Sequence, residues 1–230
     1  MATIALERLG EPAGFYEVPV GKKAVMAVTG LVLVGYVVAH MIGNLQIFLG
    51  PERINHYAEL LHSAGPLLWC ARLVLLAAVG LHVITALQLW LLKRRARPVR
   101  YVKKIDVPSA YTARMMLWGG LALGAFVVFH VLHLTTGGVG LPFEELNVYD
   151  NVVRGFRLPA VAIAYIIALL ALCIHLYHGL WSMLHSFGLD DERWRPLLER
   201  LSAAVALVVA AGYISIPVSV LAGLIGQEVP

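Results

Sequence analysis

The sequence predicts an all-α membrane protein with five transmembrane helices, and three observations predict it. Of its 230 residues 60% are hydrophobic and 14% charged, with a mean hydropathy of +0.78, whereas a soluble domain carries about 25% charged residues. Five uninterrupted apolar stretches run from 24 to 48, 67 to 92, 115 to 136, 159 to 183 and 201 to 224, each at or above the ~20 residues that cross a ~30 Å hydrocarbon layer. None alternates in the short segments of a membrane β-barrel, so the spans are helices. Of the 18 basic and 14 acidic side chains, only Arg72 falls inside a stretch, near an end where a long side chain can snorkel to the headgroups.

Each element follows in chain order. Residues 1–23 carry Glu7, Glu11 and Glu17 with no apolar run, so no cleavable signal peptide is expected. The first span then leads through a short loop to the second. A loop holding Lys93, Arg94, Arg95, Arg97, Arg100, Lys103, Lys104 and Arg114 separates the second span from the third. That loop is read as a topology determinant, and also as a docking surface for anionic lipid or a soluble partner. With the three basic residues of the N-terminal segment and the three of the fourth loop, 14 of the 18 lie on one side. The positive-inside rule therefore expects a cytoplasmic N-terminus and a C-terminus outside, in a multi-pass protein of the cell inner membrane. Gly120 and Gly124 would permit close helix approach in the third span, and Pro217 would kink the fifth. No linker separates a second domain, so residues 1–230 are expected to form one membrane domain. The basic excess needs no nucleic acid to explain it. Cys70 and Cys173 form no CxxC pattern and read as small apolar residues.

Six of the nine histidines fall within the first four spans: His40, His82, His130, His133, His175 and His178. Ionisable residues in membrane helices are costly, and usually face the bundle interior. Depth follows from the ~1.5 Å rise per residue. His40, 16 residues beyond Ala24, and His130, 15 beyond Met115, both lie roughly 22–24 Å from the cytoplasmic edge. His82, ten residues before Leu92, and His175, eight before Met183, lie roughly 12–15 Å from it. His133 at ~27 Å and His178 at ~8 Å come close to the two membrane surfaces and fit less well as buried ligands. A lone histidine could simply bond a neighbouring helix, but four helices supplying histidine at matched depths suit two bis-imidazole haems in an apolar sleeve. Hard cations want oxygen ligands, the spans hold no carboxylate, and structural zinc takes four ligands at one site. YVVAHM around His40 returns as FVVFHV around His130, 90 residues later, and His82 and His175 are 93 apart. This is a faint parallel repeat in which each half gives one ligand to each haem.

At these residues the chain resembles a known family. AHMIGN at His40, GLHV at His82, FHVLHLTTG at His130, HLYHGLWS at His175 and a histidine-free fifth span resemble the dihaem cytochrome b membrane anchor of succinate dehydrogenase and fumarate reductase. The likeness is to the single-subunit, five-helix type and covers nearly the whole chain. It implies two haem b groups, with His40 and His130 as axial iron ligands of an outer haem and His82 and His175 of an inner one. In HLYHGLWS the family's ligand aligns with the first histidine, leaving His178, like His133, as a neighbour of the ligands. The resemblance also implies a flavoprotein and an iron-sulfur subunit docked on the cytoplasmic face. Electrons would pass from the iron-sulfur protein through the inner and outer haems to quinone, either menaquinone or ubiquinone, in respiratory electron transport. The chain would thus be the quinone-reactive subunit of the enzyme, with dicarboxylate chemistry left to the partners.

For the quinone, INHYAELLH after the first span offers Glu59, His56, Tyr57 and His62, with Glu59 the first choice; the same segment reads equally as an amphipathic interfacial stretch. Arg72, Arg114 and His185 are candidates to pair with haem propionates, or anchors of helix ends. Two other readings compete: the cytochrome b of a hydrogenase or formate dehydrogenase, and a transporter or scaffold whose histidines bind substrate or neighbouring helices.

Overall fold

A computed structural model describes residues 14–96, 108–188, 191–227 and 229, with only the backbone of 108–115. Residues 1–13, where no signal peptide is expected, and Arg97, Arg100, Lys103 and Lys104 of the basic loop lie outside the described residues. Among the described residues there are seven helices and no strand: α1 (Pro19–Asn44), extended by a 3-10 turn over Leu45–Leu49, α2 (Pro51–Ser63), α3 (Pro66–Arg95), α4 (Pro108–Leu134), α5 (Val148–Phe156), α6 (Pro159–Ser186) and α7 (Arg195–Leu221). Five of them, α1, α3, α4, α6 and α7, are long and apolar enough to cross a membrane. The protein is an all-helical, multi-pass membrane bundle, as its composition predicts.

Proline opens most of these helices. It stands at the first or second position of α1, α2, α3, α6 and α7, where its missing N–H is one the helix would leave unpaired anyway. The exception, α5, begins with a side-chain cap: Asn147 Oδ1 accepts from the Asp150 N–H at 3.4 Å. Asp150 in its first turn and Arg154 in its last also complement the helix dipole. Pro217 lies within α7, which continues through it to Leu221.

The spans pack as a ring. α1 contacts α3, α3 contacts α4, α4 contacts α6 and α6 returns to α1, while α7 lies outside the ring against α6 and α1. In this order α1 and α4 are diagonal to each other, and so are α3 and α6. Large apolar side chains cover the outside of the ring, Leu76 (71% exposed) and Trp118 (68%) among them, surface that only a hydrocarbon surrounding makes favourable.

Among the described residues one end of the bundle is capped and the other is not. α2 and α5 pack on each other across the end where α1 finishes and α3 begins. Asn55 ties them, its Nδ2 donating to Asn147 Oδ1 at 3.2 Å and its Oδ1 accepting from Tyr149 N at 3.0 Å. The segment after α7 joins the cap: Arg157 donates to Gly226 O at 2.6 Å, and Gly226 N donates to Tyr149 Oη at 3.1 Å. Beneath lies the largest buried cluster among the described residues, including Ile47, Ile54, Val152, Val153, Phe156 and Tyr165. The sequence left both α2 and α5 within loops. α2 is amphipathic, burying Ile54 and Ala58 while Arg53, His56 and Glu59 face outward; such short segments carry too few turns to stand out beside the spans.

Candidate functional site

The ring brings the histidines together along its two diagonals. His40 on α1 and His130 on α4 have ring centroids 5.9 Å apart, and His82 on α3 and His175 on α6 are 6.4 Å apart. These are the two pairs that share a depth on the helix-rise ruler. Since α1 holds His40 at its capped-end half and α6 holds His175 toward the opposite end, the pairs lie one above the other along crossed diagonals.

Around His40 and His130 the surroundings are aromatic. Tyr36, one turn before His40, stacks on its ring at 5.3 Å and 13°, and Tyr213 of α7 lies 6.2 Å away on the other helix. The Tyr213 hydroxyl donates to Val37 O at 2.8 Å, and so ties α7 to α1 beside His40. On the other side Tyr165 of α6, 4% exposed, holds its hydroxyl 3.3 Å from His130 Nδ1 and 2.9 Å from His133 Nδ1. Phe126, Phe129 and Phe156 enclose the Tyr165 ring at 4.9, 5.9 and 4.8 Å.

His133 lies toward the capped end and is 3% exposed, because α5 lies over it: a Cβ at Gly155 would stand 2.6 Å from its Cε1 and Nε2. With Nδ1 at Tyr165 and the opposite edge of the ring against Gly155, His133 has neither nitrogen turned toward His40. His130 is the histidine of this turn that meets its partner.

The second pair has a simpler setting. His82 Nδ1 lies 3.1 Å from Thr29 Oγ1, whose proton goes to the α1 backbone, with Val25 O at 2.8 Å and Met26 O at 3.1 Å. That hydroxyl accepts from the ring, so Nδ1 carries the proton and Nε2 keeps its lone pair. Glycines of the other diagonal lie alongside. A Cβ at Gly30 of α1 would meet His82 Cε1 at 3.6 Å, and one at Gly120 of α4 would meet His175 Cε1 at 3.7 Å. Gly124, the other member of the small-residue pair, has no such neighbour within 4 Å. His175 Nδ1 is buried without a hydrogen-bond partner, an uncommon state for a buried polar atom.

The remaining candidates are dispersed. Tyr57 turns inward, its ring against α1 where a Cβ at Gly43 would come within 2.8 Å. Glu59 and His56 pair at 3.7 Å on the exposed face of α2, and His62 Nδ1 bonds Ala58 O at 2.9 Å. Arg72 lies over Trp69 of its own helix at 5.0 Å. His178 is half-buried one turn beyond His175, and His185 meets Trp181 edge-on at 4.3 Å. The Arg114 side chain lies outside the described residues. Tyr165, Thr29, Tyr36 and Tyr213 had no place in the sequence reading.

The separations within each pair are compatible with two imidazoles sharing one metal. A metal–nitrogen bond of about 2.0–2.1 Å with a ring centre roughly 1.2 Å beyond gives a centroid separation of ~6.4 Å, against the 5.9 and 6.4 Å found. Rotation about the metal–nitrogen axis leaves that separation unchanged, so the interplanar angles of 86° and 59° are equally compatible. Among the described residues no group of three or more His, Cys, Asp or Glu could hold a metal by itself. Paired donors without a protein cage suit a group that brings its own equatorial ligands. No family model, curated protein or solved structure matches this chain.

Proposed function

We propose that the chain is the dihaem cytochrome b anchor of a succinate:quinone oxidoreductase, holding two b haems between an iron-sulfur partner and membrane quinone. The observation that supports this reading is the pair of crossed diagonals, each bringing two imidazoles to a centroid separation close to that of a shared metal. His40 and His130 would hold one haem iron, His82 and His175 the other. A haem so ligated supplies a one-electron couple whose potential responds to ligand hydrogen bonds, burial and nearby charge.

The chain's own part is to hold and tune. Thr29 keeps His82 in the tautomer whose Nε2 is free, and stacking on Tyr36 orients His40. Gly30 and Gly120 leave the flanks of the His82–His175 pair without side chains. Apolar helices exclude water, which would otherwise raise the local dielectric constant. Tyr36 beside His40, Tyr57 against Gly43 and Arg72 near the start of α3 supply hydroxyls and a cation in this half of the bundle; they are the polar groups we propose for the quinone.

The test is a dithionite-reduced-minus-oxidised spectrum of the purified chain with a haem count. Two b haems per chain are expected, and none, or one, would defeat the reading. Co-purification identifies the enzyme: a flavoprotein and an iron-sulfur protein with succinate or fumarate activity are expected, and hydrogenase or formate dehydrogenase subunits in their place would overturn that assignment.

A further inference from the structure

We infer that Tyr165 is a positioning residue for His130, and that Tyr165 and His133 form a buried hydrogen-bond chain setting the redox potential at the His40–His130 pair. The inference rests on the haem reading of that pair and adds to it two residues and a polarity.

The geometry is a three-membered line from α4 to α6 and back to α4. One hydroxyl, 3.3 Å from His130 Nδ1 and 2.9 Å from His133 Nδ1, serves both rings. A hydroxyl has a single proton, so one ring must donate to it while the other accepts from it. Iron at His130 Nε2 decides which. The remaining proton of His130 then lies on Nδ1 and goes to Tyr165 Oη, and the Tyr165 proton goes to His133 Nδ1, leaving the His133 proton on Nε2. The opposite polarity would place a proton on His130 Nε2 and block the metal position. Haem binding and the direction of the chain are therefore one choice.

The setting makes that choice firm. Tyr165 and His133 are 4% and 3% exposed, so water does not compete for the bonds. Phe126, Phe129 and Phe156 fix the tyrosine ring, and Gly155 lets α5 close over His133. A ligand whose Nδ1–H has a good acceptor is more basic and favours the oxidised metal, which lowers the potential. The His82–His175 pair has nothing equivalent. His82 donates to the hydroxyl of Thr29, whose proton ends on a backbone carbonyl one turn away, and His175 Nδ1 has no partner.

The experiment is a redox titration of the b-type absorption of the intact complex in membranes. The component belonging to the His40–His130 pair is identified as the one missing from His40→Ala. Tyr165→Phe keeps the ring and removes the hydroxyl; it should raise the midpoint potential of that component alone. His133→Gln, which keeps an acceptor for the Tyr165 proton, should stay near wild type, and His133→Leu should move the same component upward. Thr29→Val should move only the other component. Both components unmoved in Tyr165→Phe, or both shifted equally, would overturn the inference while leaving two haems in place. A wild-type complex without b-type absorption would instead defeat the haem reading. Should Tyr165→Phe not assemble, His133→Leu decides: a shift confined to the one component supports the chain, and no shift refutes it.

Discussion

The two histidine pairs use one residue type on the four helices of one ring, but they are held differently. The His40–His130 pair lies under the cap, with Tyr36, Tyr213 and Tyr165 around it and α5 closed over its neighbour His133. The His82–His175 pair lies farther from the cap, with a threonine, two glycines and a partnerless ring nitrogen. The contrast teaches that equal ligands do not make equal sites. On the proposed reading, hydrogen bonds to the second ring nitrogen and burial would give two otherwise identical haems different potentials, as a directional electron path would need.

The sharpest way to break the comparison is to remove a ligand from each side of it. His130→Ala and His175→Ala should each lower the haem content from two per chain to one, with different spectral components lost; equal loss of both in a folded variant would show that the layers are not separate. A large effect on folding is expected at the cap. Gly155→Val puts a branched side chain where a Cβ alone stands 2.6 Å from the enclosed His133 ring, and should cost about 1–3 kcal/mol, read as a lower midpoint of thermal unfolding in detergent. Gly212→Ala is the control. Its Cβ would come 2.5 Å from Sδ and 3.1 Å from Cγ of Met41, an unbranched side chain that adapts more readily than an imidazole held by Tyr165, so it should cost less than Gly155→Val.

Tyr213→Phe removes the bond to Val37 O and should cost about 0.5–1.5 kcal/mol, with the spectral change confined to the component that His40→Ala also removes. The smallest effect concerns pH. Bonds from Asn147 and Arg154 hold the Glu144 carboxyl below its ordinary value. A carboxylate with a lowered folded-state pKa stabilises fully above its unfolded value, and that contribution is lost as pH falls through the lowered one. The exposed Glu144 should therefore let the cap loosen slightly in acid, seen as faster amide exchange in α5, and Glu144→Gln should flatten this response.

The five spans were legible in the sequence because lipid demands long apolar runs, which are hard to miss. The same runs supplied a ruler for the histidines, and the rings it placed at one depth are the rings that meet. The ruler could have found Tyr165 as well: 18 residues before Met183, it lies at the ~27 Å calculated for His133, 18 beyond Met115. A tyrosine in an apolar span simply attracts less notice than a histidine. Thr29 was hidden for another reason. Counted from the ends of the apolar runs Thr29 stood at ~7.5 Å against ~15 Å for His82, and counted from the helix ends at Pro19 and Arg95 it stands at ~15 Å against ~20 Å, so depth alone does not pair them. The burial of His133 could not be read at all, since it depends on α5, which apolar patterning left as loop.

The crossed diagonals also fix when each site can exist. A chain is made from its N-terminus, and α1 and α3 emerge carrying His40 and His82, neither of which has a partner within that half. Completion of α4 brings His130 to the first, and only α6 brings His175 to the second together with the tyrosine beside His130. A ribosome that stalls after the second span thus leaves two single imidazoles and no place where iron could be held from both sides. A protein cut between the halves must reassociate before it can hold either group.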